Sequence, residues 1–304
     1  MPKLLTGVWP ILVTPFQEDG SLDLTSLQML VEGTLAAGVN GVVAMGVNAE
    51  AARLSDTERT TIVGLVGEIC RAASRPFLVT VSHTGTDVAV QRAREAAAVG
   101  AAGVMAAPPA FSRFGPAMLQ HYAAISEIGL PVVVQDYPPE TAVTLAPEQL
   151  VEILGVCDQA AGIKVEDAPT PGKIGRLRAL LGPDVGLVGG LGAMYLLSEL
   201  RRGGDGAMTG FPMHAAMLTI CRAMAAGDED TAEQTYRNWL PLMVLGAQAG
   251  VGLTVMKEVL KRRGLIRHAG LRRPGPALDD VTRHELDRVL AAAGVDERNV
   301  DCRV

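Results

Sequence analysis

Aromatic residues supply only 4% of this 304-residue chain, whereas alanine, glycine and valine are abundant. That balance excludes an all-β sandwich and points to the α/β class, with helices packed closely on short, buried, β-branched strands. Cysteine is also sparse. Cys70, Cys157, Cys221 and Cys302 lie far apart with no C-x-x-C pair, which argues against a disulfide framework or a zinc site and suits a reduced cytoplasm. No run of about 18 apolar residues occurs, so no membrane-spanning helix is expected. Residues 1–10 lack the basic and apolar stretches of a signal peptide, so a cytoplasmic location is expected. Positive charge is lacking overall: 27 Lys and Arg against 33 Asp and Glu give a formal charge of -6, a field that attracts neither nucleic acid nor an acidic membrane. Small molecules are the expected partners.

What the chain does have is a rhythm. Short apolar runs alternate with longer stretches of helical period: 8–14 then 24–37, 42–45 then 55–73, 77–82 then 87–99, and 104–106 then 116–128. The alternation continues with 131–134 then 147–154, 163–164 then 173–181, 186–188 then 193–202, and 207–209 then 215–226, making eight strand–helix pairs. Gly38-Val-Asn-Gly41, Gly100-Ala-Ala-Gly103 and Gly203-Gly-Asp-Gly206 form a weak repeat between helix and strand, the first Gly suiting a left-handed cap and the second a tight turn. Ser55 with Glu58, Pro147 and Pro171 mark helix starts. The strands read as continuous apolar runs, as expected when both faces are buried, and eight parallel strands close most readily into a (β/α)8 TIM barrel. An open doubly wound sheet is the alternative, but no G-x-G-x-x-G follows the first strand. We expect a barrel core over 1–214, then from 215–304 the last barrel helix and a helical extension packed on the barrel, with helical pattern at 231–249, 253–263 and 280–293 and a linker around Pro274 and Pro276.

Active sites of such barrels gather where the strands end. Lys164 ends the sixth apolar run; an ammonium in a barrel mouth loses hydration, and its neutral amine is a nucleophile for carbonyl carbon. The competing reading is a lysine that snorkels to the rim or pairs with Glu166 or Asp167. Gln135 and Tyr137, two apart on the fifth strand, would both face the site, to orient a carbonyl or shuttle a proton; the alternative is a strand end where Asp136 caps a turn before two prolines. Gly46, Val47 and Asn48 follow the second strand, where backbone amides can receive a carboxylate or simply form a βα turn. His83 follows the third strand as a candidate substrate-binding residue or a plain surface histidine. Gly189-Gly190-Leu191-Gly192 after the seventh strand could cradle phosphate at a helix start or make space for a bulky neighbour or a carbonyl substrate, the last favoured because basic residues are absent nearby. Gly190, with Met208 on the eighth strand, is therefore expected to line the pocket. The five histidines show no metal-ligand spacing, so no metal and no other cofactor is expected. Seven basic residues between Lys257 and Arg273 read as a solvated helix face or a salt-bridged interface.

These residues resemble the dihydrodipicolinate synthase/N-acetylneuraminate lyase superfamily over 7–263, on Gly7-Val-Trp-Pro-Ile-Leu-Val-Thr-Pro-Phe, Asp19-Gly20, Gly46 with Glu50, and Gly162-Ile163-Lys164. The resemblance implies that Lys164 forms an imine with pyruvate or another 2-keto acid, that the loop at Val47 and Asn48 takes its carboxylate, and that the chain forms a homotetramer or dimer without metal. Family members carry a hydroxyl relay where this chain has Gln135, Val47 and Phe111, and synthases tend to carry an arginine where it has Glu140. The Gln135-Asp136 pair, with Thr80-Val-Ser-His83, Gly206-Ala-Met-Thr-Gly210-Phe-Pro and Trp239-Leu-Pro-Leu, is similar to the 2-keto-3-deoxy-sugar-acid dehydratases of the same superfamily, in particular those acting on 2-keto-3-deoxy-L-arabonate. The expected activity is therefore dehydration of a 2-keto-3-deoxy sugar acid. Dihydrodipicolinate synthesis or pyruvate aldol chemistry is the alternative within enzymes, and a non-catalytic keto-acid-binding barrel the alternative outside them.

Overall fold

The computed structural model describes residues 3–295, so Cys302 lies outside the described residues. Eight strands alternate with helices in chain order: β1 (Gly7–Pro10), α1 (Leu24–Ala36), β2 (Val42–Ala44), α2 (Asp56–Ala72), β3 (Phe77–Thr80), α3 (Thr86–Ala98), β4 (Gly103–Ala106) and α4 (Pro116–Ser126). Then follow β5 (Val132–Asp136), α5 (Pro138–Thr141), α6 (Pro147–Gly155), β6 (Ala160–Val165), α7 (Thr170–Leu181), β7 (Gly186–Gly189), α8 (Leu196–Leu200), β8 (Gly206–Thr209) and α9 (His214–Ala226). Three more helices complete the described chain: α10 (Glu229–Gly246), α11 (Gly252–Arg262) and α12 (Asp280–Ala292).

All strand pairs are parallel, in the order β1-β8-β7-β6-β5-β4-β3-β2. The first strand is shorter than its apolar run. Past Pro10, Ile11 donates to Thr209 O at 3.0 Å and Leu12 to Val43 O at 2.9 Å, so the chain crosses from β8 to β2 and seams the barrel shut. The eight expected strand–helix units are thus all present.

Local chemistry explains the joints. Gly38, Gly100 and Gly203 take φ of +83°, +83° and +85° where a helix turns back toward a strand. Their partners are closed in: a Cβ on Gly41 would sit 2.3 Å from the Trp9 ring, and one on Gly206 1.9 Å from Gly7 O. Ser55 and Glu58 form the expected capping box at the start of α2.

Alternation along the strands sorts side chains into two sets. Trp9, Ile11, Val43, Leu78, Met105, Val133, Val188 and Met208 fill the barrel interior as an apolar plug. The outward set, with Val79, Val104, Val132, Val134 and Ile163, packs under the helices in a larger core that also takes in Leu242, Val255, Val259, Leu286 and Leu290 of α10–α12. The plug closes the barrel from below, so polar side chains one layer higher on the inward face stand at the mouth.

Candidate active site

Two adjoining cavities open where the strands end. The smaller, about 300 Å³, is lined by Lys164, Glu166, Tyr137, Asn48 and Thr209 among others. The larger, about 670 Å³, includes Thr80, His83, Gln135 and Glu140, and Val47, Gly250 and Leu253 line both.

Lys164 and Glu166 are two apart on the inward face of β6 and its extension, where Glu166 N–H continues the ladder to Asp136 O at 2.9 Å. The Lys164 Nζ lies 2.9 Å from Glu166 Oε2, with the two residues only 5% and 7% exposed. Gln135 sits beside Lys164 in the β5–β6 register and donates from Nε2 to the same Oε2 at 2.8 Å. An amine, a carboxylate and a carboxamide therefore meet at one oxygen. Low exposure strengthens such charge-assisted contacts and makes their loss expensive.

Glu166 is the residue that sequence reasoning undervalued, seeing in it only a partner for Lys164. Its available signal was the i, i+2 spacing, which puts both side chains on one face of a strand. The space it occupies is supplied by Gly190: a Cβ there would fall 2.2 Å from Glu166 Oε1. Gly190 accordingly makes room for a protein carboxylate rather than forming a wall of either cavity, a correction to its expected place. Met208 is also corrected. It points inward but belongs to the buried plug, while Gly210, two residues further along, lines the smaller cavity. The eighth strand enters the mouth one layer later than supposed.

Tyr137 lines the smaller cavity with Lys164, whereas Gln135 reaches the larger one. Burial, then the Glu166 and Glu140 carboxylates, push the Tyr137 phenol above its ordinary range, so it remains a proton donor. Asp136 faces the other way. Its carboxylate lies 2.7 Å from Lys173 Nζ, which also reaches Asp167 at 2.8 Å, a buried clamp behind β5. His83 lines the larger cavity and accepts from Gly85 N–H at Nδ1 over 2.9 Å, which leaves Nε2 to carry the proton in the neutral ring.

Gly46, Val47 and Asn48 open a short 3-10 turn, 47–49, whose amides at Ala49 and Glu50 bond back to Gly46 and Val47 carbonyls at 2.9 Å. Gly46 is required because Ile11 lies 2.6 Å from where its Cβ would be. The turn ends at Glu50, a non-glycine residue with φ +55° and ψ +34°, held from the far end of the chain. Lys257 Nζ of α11 bonds Glu50 Oε1 at 2.9 Å, while Arg53 Nη1 and Arg272 N–H each bond Oε2 at 2.9 Å. Lys257 is fully buried, so a solvated face does not describe it. With Arg272 it brackets the Phe16 ring, at 4.6 and 4.5 Å from the centroid. Among the described residues, no cluster of His, Cys, Asp and Glu is arranged to hold a metal ion.

A closed eight-stranded barrel with an amine and a carboxylate paired at its strand ends has the architecture of a barrel enzyme. The chain belongs to the dihydrodipicolinate synthetase family, whose profile matches residues 4–293, and is a lyase of that family. It is 34% identical over 290 residues to the L-2-keto-3-deoxyarabonate dehydratase of Azospirillum brasilense, covering 92% of each chain. It is 28% identical to the 4-hydroxy-tetrahydrodipicolinate synthase of Acidobacterium capsulatum, covering 96% of each. The crystal structure of dihydrodipicolinate synthase from Rhodopseudomonas palustris superimposes with a TM-score of 0.90 at 32% identity, covering 96% of this chain and 99% of that one. No helix among the described residues is long and apolar enough to cross a membrane.

Proposed function

We propose that the protein dehydrates a 2-keto-3-deoxy sugar acid through an imine on Lys164. The observation that carries this is the Lys164–Glu166 pair, 2.9 Å apart in the barrel mouth: a nucleophile and a proton acceptor in one sheltered place.

As an ion pair, the ammonium must lose a proton before it can attack, and Glu166 is positioned to take it. The neutral amine adds to C2 of the keto acid; the carbinolamine oxygen leaves as water with a proton returned by Glu166, giving the protonated imine. That imine is an electron sink for C3. Glu166 removes the C3 proton, the enamine expels the C4 hydroxyl, and the departing oxygen takes a proton from Glu166 or from the Tyr137 phenol. Hydrolysis of the imine releases the dehydrated keto acid and restores the amine. Gln135 holds the carboxylate in place throughout, and the amides at Val47 and Asn48 receive the substrate carboxylate, as the family resemblance implies.

The dehydratase relative favours this reading over condensation of pyruvate with an aldehyde, as does a carboxylate, Glu140, at the position where synthases tend to carry an arginine. Turnover with aspartate semialdehyde and pyruvate separates the two. The same reading makes the enzyme a homo-oligomer, as the family resemblance implies, and Phe111, 84% exposed with φ +61°, is at the position where that resemblance implies a residue offered to a neighbouring subunit. The free thiols of Cys70, Cys157 and Cys221 suit a reducing cytoplasm.

Borohydride reduction in the presence of pyruvate, followed by intact-mass analysis and peptide mapping, tests the nucleophile without the true substrate. An adduct on Lys164 that is lost in Lys164→Arg is the expected result. Full turnover by Lys164→Arg on a sugar-acid substrate would refute the imine, and a keto acid bound without any adduct would point to a binding barrel.

A further inference from the structure

The larger cavity contains a cation that the proposed chemistry does not use. Arg59 of α2 is 6% exposed and lines this cavity, with Nη2 donating to Thr80 O at 3.1 Å. It takes part in no ion pair among the described residues. A buried guanidinium without a carboxylate is costly, and proteins rarely retain one without use for it. Burial, and then repulsion from Arg92, pull Arg59 down to about 10 against the weaker opposing pull of Glu95 and Asp56, neither of which is in ion-pair contact with it.

Its neighbours on the cavity wall add to the imbalance. Arg92 is held by Ser82 O at 2.8 Å, and its nearest carboxylate is the almost fully exposed Asp56 at 3.9 Å. His83 presents Nε2–H when neutral, its Nδ1 being occupied by Gly85 N–H. Arg53 is already paired with Glu50 at 2.9 Å. The one other carboxyl on the wall, Glu140, is pushed above its ordinary range by burial and then by Glu166, which disfavours its charge. Arg59, Arg92 and His83 belong to α2, α3 and the end of β3, three strands round the barrel from the Lys164 strand β6. Their cavity adjoins that of Lys164 through Val47, Gly250 and Leu253, and Gln135 beside Lys164 lines it, so a chain tethered at Lys164 can extend toward them.

We infer that Arg59 and Arg92, with His83, form a subsite for a carboxylate at the distal end of the substrate, so that the enzyme takes a dicarboxylic 2-keto acid, a keto-deoxy aldarate, in preference to one ending in a neutral alcohol. This rests on the imine reading, because Lys164 fixes the near end. The subsite sets specificity: it binds the tail and takes no part in the bond changes. Planar guanidinium groups suit a terminal carboxylate, which accepts two parallel hydrogen bonds from one fork.

The probes are 2-oxoglutarate and 2-oxoadipate against 2-oxopentanoate and 2-oxohexanoate, pairs of equal carbon count that differ at the terminal group. Each competes with pyruvate for borohydride trapping on the full-length protein. The dicarboxylate of at least one pair is expected to compete about ten-fold more tightly or better, the ratio of one charge-assisted hydrogen bond. Arg59→Met should bring that ratio to about two-fold or less, Arg59→Lys should keep most of it, and Arg92→Gln should reduce it, all with pyruvate trapping at Lys164 unchanged. Equal competition within both pairs, or a preference that survives both Arg59→Met and Arg92→Gln, overturns the subsite and leaves the imine standing. Absence of a pyruvate adduct overturns the imine reading and the subsite with it. Should Arg59→Met fail to fold, Arg92→Gln decides, and a preference that it leaves intact overturns the subsite.

Discussion

Replacing Lys257 by methionine would remove a buried charge while keeping most of the side chain's volume. Lys257 Nζ makes two hydrogen bonds, to Glu50 Oε1 at 2.9 Å and to Gly270 O at 2.8 Å. Breaking one side of a buried ion pair costs about 3–5 kcal/mol. Glu50 keeps its bonds from Arg53 and the Arg272 amide on Oε2, so the lower end applies, and the orphaned Gly270 carbonyl adds about 1 kcal/mol. The expected loss is about 4 kcal/mol, or about 6 °C in Tm for a chain of 304 residues. A second effect is local. Glu50 occupies the left-handed region at a cost of about 1 kcal/mol, and these bonds are what hold it there. Once released, the turn at Val47 and Asn48 relaxes, so the apparent affinity for pyruvate in trapping should fall several-fold while the trapping rate at saturation changes little. Calorimetry and trapping titrations read the two effects separately. The double variant Lys257→Met, Glu50→Leu, which leaves no buried charge unpaired, should recover part of the lost Tm but none of the affinity. A single variant as stable as the parent, or a double variant no better than the single, would show that the pair does not secure the turn.

Other outcomes follow from the same geometry. Glu166→Gln should lower kcat by about 10²–10⁴ while borohydride still traps pyruvate on Lys164, more slowly; unchanged turnover on a sugar-acid substrate would remove Glu166 from the proton path. Glu199, which accepts from Thr170 behind β7, is raised by burial from 4.5 to about 7. Because its folded pKa lies above its unfolded one, the stability it confers is fully present below about pH 4.5 and lost as pH rises through about 7, a change of about 3 kcal/mol. Glu199→Gln should therefore flatten the decline in Tm across that window; an identical decline in the variant would place the titration elsewhere.

The barrel was legible because its strands are buried on both faces and its helices on one, so that apolar runs and helical stripes alternate without ambiguity. Lys164 stood out for the same reason, as a charge at the end of an apolar run. Depth was not legible. A period of two tells which face a residue occupies but not its height along the axis, because the strands of a closed barrel are staggered. That is why Met208 falls within the plug and Gly210 at the mouth. Lys257 was hidden by distance: its partner Glu50 is 207 residues away, and no local pattern separates a buried lysine from its solvated neighbours on the same helix. Arg59 was hidden likewise, since only the fold shows that an arginine within an amphipathic helix is buried with no carboxylate in ion-pair contact among the described residues.

The missing hydroxyl relay is coherent with dehydration once Glu166 is placed. A relay of several hydroxyls moves protons between distant atoms. Dehydration needs less: the proton leaves C3 and the oxygen that must be protonated is on C4, the adjacent atom. One carboxylate can take the first and serve the second, provided both lie on the face of the substrate turned toward it. Glu166 lies on one side of the Lys164 Nζ, held there by the Gln135 amide, so in the proposed imine it addresses one face only. If it does both tasks, elimination is syn. Substrate bearing deuterium at one C3 position, prepared as each of the two epimers, would show this by mass spectrometry and NMR of the product: the label syn to the C4 hydroxyl is lost and the anti label is retained. Loss of the anti label would assign C4 protonation to a group on the opposite face, and Tyr137, which shares the cavity with Lys164, would then be the donor to test.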